Sequence, residues 1–169
     1  MSKKKDGSIL VLDDDFDISN LLKISLKKQG YTVFSFTDPL SALEHFKTNH
    51  STYSLVITDL RMPVMSGFEF LRNIRVIKPE INVILMSAYE TSGDDEFTNF
   101  TKNYAIGGFI QKTVGMKKLL GLVESQMAAT WITKAIRPTF IMYKVHGTLD
   151  EPWHLKIYSK GTLQKFQSN

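Results

Sequence analysis

Five side chains in this chain could do chemistry as a group: Asp13, Asp14, Asp59, Ser87 and Lys112. Ionised carboxylates packed together repel one another, so they need a counter-charge, or one of them must take up a proton. A hard cation such as Mg²⁺ meets that need with oxygen ligands and retained waters. An aspartate can also attack a phosphorus centre and form an acyl phosphate. That reaction needs its phosphoryl oxygens positioned and neutralised. The cation and the Lys112 ammonium supply charge, and the Ser87 hydroxyl supplies a hydrogen bond. Singly, these residue types say less. An aspartate after a strand is often a helix N-cap, the reading adopted for Asp15 and Asp17. A lone lysine is more often solvated, and a lone serine fits either reading.

The elements that must position the group follow from hydrophobic pattern. Ser8 to Leu12 is a short, continuous apolar run that stops at Asp13, as expected of a strand buried on both faces of a parallel sheet. Ile18, Leu21, Leu22 and Leu26 recur at helical spacing, with Gly30 as the stop. Tyr31 to Phe36 reads as a second strand. Asp38-Pro39 starts a helix whose buried face is expected at Leu40, Leu43 and Phe46. Leu55 to Thr58 is a third strand, ending at Asp59. Gly67 to Ile77 is helical through Phe68, Leu71 and Ile74. Val83 to Met86 is a fourth strand, ending at Ser87. Residues 94–103 form a polar helix candidate. Ile106 to Ile110 is a fifth strand, with Lys112 beyond it. A long last helix runs from Met116 to about Lys134. This alternation predicts an α/β fold, a parallel sheet with helices on both faces. In such a sheet, ligands bind at the carboxyl ends of the strands, where all five residues fall.

The totals agree with an ordinary globular domain: 169 residues, 43% hydrophobic and 22% charged. The absence of cysteine excludes disulfides, thiolate metal sites and cysteine nucleophiles. The apolar run Ile9 to Leu12 is too short for a signal peptide or a membrane span, so a cytoplasmic protein without membrane contact is expected. Residues 1–125 carry 15 Lys/Arg and 15 Asp/Glu, so the net charge of +4 comes from residues 126–169. Both tryptophans, Trp131 and Trp153, lie there too. The shift places a boundary near residue 126, between a domain at 7–125 and a C-terminal extension at 126–169. In the extension, Thr139 to Val145 and Trp153 to Ser159 read as strands, with His146 to Pro152 as their turn. An isolated hairpin is marginal in water. The extension is therefore read as a docking or homodimerising appendage, with nucleic-acid contact as the alternative its basic and aromatic residues permit.

Four segments in this order resemble the receiver domain of two-component response regulators, the family of the chemotaxis response regulator. They are Ile9 to Asp15, Leu55 to Gly67, Val83 to Ala88 and Gly108 to Lys112. The resemblance spans about residues 7–125 and implies a flavodoxin-like, doubly wound five-stranded sheet of order 2-1-3-4-5. It implies that Asp59 is the phosphoacceptor and that Asp13 and Asp14, with Asp59 and the backbone carbonyl of Arg61, hold Mg²⁺. Lys112 would pair with the phosphoryl group. Ser87 and Phe109 would be the switch residues, and Arg61 and Tyr89 would tune the lifetime of the phosphate. The phosphoryl donor would be a sensor histidine kinase and the output a downstream protein. Such a domain is a phosphoacceptor with Mg²⁺-dependent self-phosphorylation and dephosphorylation, not a turnover enzyme.

The chain departs from the family pattern at three places. Thr113 follows Lys112 where the family usually has proline after a cis bond; a cis bond before a non-proline residue costs roughly 2.5–4 kcal/mol. Ser66 replaces the usual aspartate before Gly67. The stretch between Ser87 and Lys112 is slightly long, with extra polar residues from Thr91 to Glu96. Two other functional classes compete. One is a small transcriptional regulator that binds nucleic acid through the basic tail. The other resembles a haloacid-dehalogenase-type phosphatase, with Asp13 and Asp15 as its aspartate pair, then Ser87 and Lys112. That reading leaves Asp59 without a role and puts Asp17 where threonine or valine is expected.

Overall fold

Strand β1, Ser8–Leu12, is buried along its whole length and is an inner strand of the sheet. The computed structural model describes residues 6–88, 95–104, 106–112, 115–135, 156–159 and 162–165. Five parallel strands, β1, β2 (Thr32–Phe36), β3 (Tyr53–Asp59), β4 (Asn82–Ser87) and β5 (Gly108–Gln111), stand in the order β2-β1-β3-β4-β5. The helices between and after them are α1 (Phe16–Lys28), α2 (Pro39–Asn49), α3 (Gly67–Ile77), α4 (Asp95–Asn103) and α5 (Met116–Ala135). This is the expected doubly wound α/β architecture, and burial on both faces explains why the inner strands β1, β3 and β4 read as largely apolar runs.

Strand alternation divides the core in two. Ile9, Val11, Leu55, Ile57, Ile84, Met86 and Ile110 face Leu22 and Leu26 of α1 and Leu119, Val123 and Met127 of α5. Leu10, Leu12, Val56, Val83 and Leu85 face Ala42, Leu43 and Phe46 of α2 and Phe68, Leu71 and Ile74 of α3. Each fully buried side chain of this size contributes roughly 1.5–3 kcal/mol.

Two expected core positions are corrected. Leu21 is 55% exposed and Leu40 is 52% exposed. At 100° per residue, the buried stripe of α1 runs through Ile18, Ser19, Leu22 and Leu26, and Leu21 lies roughly 110° from its centre. In α2 the stripe is Pro39, Ala42, Leu43 and Phe46, and Leu40 is off it by the same measure.

Helix ends are set locally. Asp15 caps α1, its side chain accepting from the N–H groups of Asp17 and Ile18. Gly30, at φ 89°, closes α1: its N–H donates to Lys27 O at 3.0 Å and that of Tyr31 to Leu26 O at 3.2 Å. Among the described residues, no helix is long and apolar enough to cross a membrane.

The chain divides into two units, residues 1–130 and 131–169. In the second, β6 (Lys156–Ser159) pairs antiparallel with β7 (Thr162–Lys165), Tyr158 opposite Leu163. The strand expected at Thr139 to Val145 and the turn at His146 to Pro152 lie outside the described residues.

Candidate functional site

The register brings the strand ends to one level. Leu12 is paired with Thr58, so Asp13 comes out beside Asp59. Asp59 is paired with Met86, which puts Ser87 one residue further along β4. Ser87 is paired with Gln111, so Lys112 follows immediately. Backbone bonds continue past the ladder: the Lys112 N–H donates to Ser87 O at 2.7 Å and the Asp13 N–H to Phe36 O at 3.1 Å.

Asp13, Asp59 and Ser87 are buried, at 0%, 5% and 1% exposure. Asp14 is exposed. The Lys112 ammonium links the two buried carboxylates. Nζ donates to Asp59 Oδ2 at 2.8 Å and to Asp13 Oδ1 at 3.1 Å, and lies 3.0 Å from Asp13 Oδ2. Backbone N–H groups add two more hydrogen bonds: Leu60 donates to Asp59 Oδ1 at 2.8 Å and Asp15 to Asp13 Oδ1 at 3.1 Å. These two donors are invisible to sequence reasoning, because any residue but proline can supply them.

The electrostatics follow from burial. Burial raises the Asp13 pKa above its ordinary value, against the lowering effect of the Lys112 hydrogen bond and charge. Burial alone would lower the Lys112 pKa, but its hydrogen bonds to Asp59 and Asp13 and their charges outweigh it and raise the pKa.

The residues fit a divalent cation. Asp13, Asp14 and Asp59 each offer one oxygen, and these oxygens lie within 4.8 Å of one another. Asp13 Oδ2 is buried and accepts no hydrogen bond; its nearest charge is the Lys112 ammonium at 3.0 Å, in ion-pair contact only. Three carboxylates against one ammonium leave two negative charges in excess when ionised. A hard cation with oxygen ligands answers both the charge and the orphaned oxygen.

The remaining predicted residues fall as follows. Arg61 is exposed in the loop two residues past Asp59. Phe109, half-buried in β5, is in register with Leu85, on the sheet face opposite to that of Ile57 and Ile110. Ser87 shares the parity of Leu85, so Ser87 and Phe109 belong to one face. Tyr89 and Thr113 lie outside the described residues, and with them the geometry of the Lys112-Thr113 bond.

The start of α3 carries a signal beyond the hydrophobic pattern. Ser66 N-caps α3 in a capping box: Glu69 N donates to Ser66 Oγ at 3.3 Å and Ser66 N to Glu69 Oε2 at 2.9 Å. The signal is the Ser-x-x-Glu spacing. It explains how serine serves where the family has aspartate. The phosphatase alternative needed Asp15 beside Asp13, and Asp15 is instead engaged in capping α1.

Comparison with known proteins agrees with this geometry. The chain is 37% identical over 81 residues to the sporulation initiation phosphotransferase F of Bacillus subtilis (strain 168), a match covering 48% of this chain and 64% of that protein. It is 32% identical over 127 residues to the transcriptional regulatory protein ZraR of Klebsiella oxytoca, covering 75% of this chain and 28% of that protein. The chain thus spans less than two thirds of the length of these curated relatives. Among solved structures, a response regulator receiver domain protein from Clostridium thermocellum matches with TM-score 0.67 at 25% identity, over 75% of this chain and 98% of that one. A chain of the CheX-CheY-BeF3-Mg+2 complex from Borrelia burgdorferi matches with TM-score 0.60 at 26% identity, over 70% and 87%. Residues 9–124 match the family model of the response regulator receiver domain, and the chain belongs to that family.

Proposed function

We propose that Asp59 accepts a phosphoryl group from a phosphohistidine of a sensor kinase and that the modified domain controls a downstream protein. A carboxylate oxygen of Asp59 forms the new bond to phosphorus. The bond from phosphorus to the histidine nitrogen breaks, and the imidazole leaves with its electron pair and takes up a proton. Asp13, Asp14 and Asp59, with the backbone carbonyl of Arg61, would hold Mg²⁺. Bound there, the cation supplies charge neutralisation for the phosphoryl oxygens. The Lys112 ammonium, already on Asp59, turns to the incoming oxygens and neutralises part of their charge. Leu60 N–H keeps the Asp59 carboxylate oriented. The Ser87 hydroxyl moves to the phosphoryl oxygen, and Phe109, on the same face, turns inward as it does so. Arg61 and Tyr89 tune how long the phosphate lasts. The result is a population shift between two packings of one domain. Residues 7–125 form this switch, and residues 126–169 serve its docking or dimerisation.

The observation that carries the reading is the Lys112 ammonium held between Asp13 and Asp59 at the ends of three strands. Intact mass after incubation with acetyl phosphate and Mg²⁺ tests it. Wild type should gain a single phosphoryl adduct, and Asp59→Asn should gain none. An adduct that survives the substitution, or none on wild type, defeats the assignment.

A further inference from the structure

Helix α4 is polar, with the sequence Asp-Glu-Phe-Thr-Asn-Phe-Thr-Lys-Asn, and its two apolar residues are Phe97 and Phe100. Phe100 is buried at 3% exposure, its ring 4.6 Å from that of Phe68 on α3 and stacked on Tyr104 at 4.5 Å. Arg72 of α3 lies over the same ring, 5.9 Å from its centroid. Phe97 is held differently. Its ring meets Phe109 edge to face, centroids 4.9 Å apart at 64°, and stands 6.5 Å from Phe68. One of the two apolar attachments of α4 therefore rests on Phe109, the residue read above as the switch aromatic.

An edge-to-face pair is directional and close-packed, so one ring cannot turn without displacing the other. Phe100 is fixed to α3 by two partners, Phe68 and Arg72, and acts as a pivot. Phe97 sits one helical turn towards the N-terminus, at the end of α4 nearest the strand ends. We propose that Phe97 is the positioning residue that couples the Phe109 ring to α4, so that a turn of Phe109 moves the N-terminal half of α4 about Phe100. The inference rests on the proposed switch and adds its transmitting contact. Thr101 Oγ1 donates to the carbonyl of Phe97 at 3.0 Å, which ties the moving turn to the next one inside the helix.

Hydrogen exchange read by mass spectrometry tests this, with beryllofluoride and Mg²⁺ as the phosphoryl mimic and acetyl phosphate labelling run in parallel. In wild type, beryllofluoride should change exchange both in residues 106–112 and in residues 95–103. In Phe97→Ala and Phe97→Leu, Asp59 should still take the phosphoryl adduct and residues 106–112 should still respond, while the response of residues 95–103 is lost. Phe97→Leu keeps an apolar contact for the helix, and wild-type exchange of its α4 before beryllofluoride is added separates lost coupling from lost folding. A response of residues 95–103 that persists in Phe97→Leu overturns the coupling. So does a wild type that takes the adduct without any change there. A wild type that takes no adduct removes the switch itself, and this inference with it.

Discussion

Lys112 reaches across 53 residues of sequence to place Nζ 2.8 Å from Asp59 Oδ2. The contact is nearly dry, with side-chain exposures of 14% and 7%, so it is stronger than a surface ion pair. Lys112→Met keeps most of the stem and removes the charge. Phosphoryl uptake from acetyl phosphate should slow by about 10²-fold or more, the usual cost of losing a preorganised donor. Asp13 and Asp59 would lose their counter-charge, so stability in urea without metal should fall by about 3 kcal/mol at neutral pH. Added Mg²⁺ should return part of that loss by binding the folded state. Uptake within a few-fold of wild type would mean that Lys112 is structural only.

Asp13 is the second carboxylate on the Lys112 ammonium. Its pKa is raised chiefly by burial, so the folded, metal-free protein carries this carboxylate at a cost. Asp13→Asn should raise stability without metal by about 1 kcal/mol at neutral pH and remove most of the Mg²⁺-dependent gain. The sign with pH follows from linkage. A carboxyl with a raised folded pKa takes up its proton on folding, so its cost is full above that pKa. As pH falls through the raised value towards the ordinary 3.8, wild type recovers and the advantage of Asp13→Asn shrinks. Urea titrations of both proteins from neutral to acid pH give the difference curve. An advantage that grows on acidification would contradict the burial argument.

Strands β1, β3 and β4 were legible because both-face burial leaves largely apolar runs, and each run stops at or just before one of the polar residues Asp13, Asp59 and Ser87. What was not legible has equally physical causes. Leu21 and Leu40 are apolar but sit roughly 110° from the centres of their helices' buried stripes, and hydrophobicity alone does not locate a stripe's edge. The Leu60 N–H on Asp59 depends on backbone direction, not residue type. That Lys112 spans Asp13 and Asp59 follows from strand register, which a linear pattern does not contain. The Ser66–Glu69 box is carried by the Ser-x-x-Glu spacing alone, a local signal that the hydrophobic pattern does not contain.

Gly67 opens α3 directly against the backbone of Asp59. Its N–H donates to Leu60 O at 2.9 Å. An added Cβ would collide with the Asp59 carbonyl oxygen and meet Leu60 Cα at 3.0 Å. Both obstacles are backbone, so no side chain can yield. Gly67→Ala should cost about 2–4 kcal/mol, at or beyond the usual range for overpacking. The shift it forces would fall on Asp59, so phosphoryl uptake should drop as well. Urea denaturation and adduct formation, measured together, check this. Unchanged values in both would show that the start of α3 can move independently of Asp59.

Val64 lies in the same loop with φ at 70°, a β-branched residue in the left-handed region, and is 80% exposed. Met65 N donates to Pro63 O at 2.8 Å and closes a three-residue turn around it. Such a turn with positive φ is strained, and a non-glycine residue held there costs about 1–3 kcal/mol. Glycine adopts this conformation freely but brings extra entropy to the unfolded chain, which offsets roughly 0.5–1 kcal/mol of the relief. Val64→Gly should therefore still stabilise, by about 1 kcal/mol, which in a chain of this size is about 3 °C in melting temperature. Val64→Ala separates the causes. It also removes most of the exposed apolar surface but keeps a Cβ at positive φ, so it should gain much less than glycine. Equal gains for the two variants would assign the effect to the exposed side chain and not to the backbone. No gain for either would mean that the turn is held without strain.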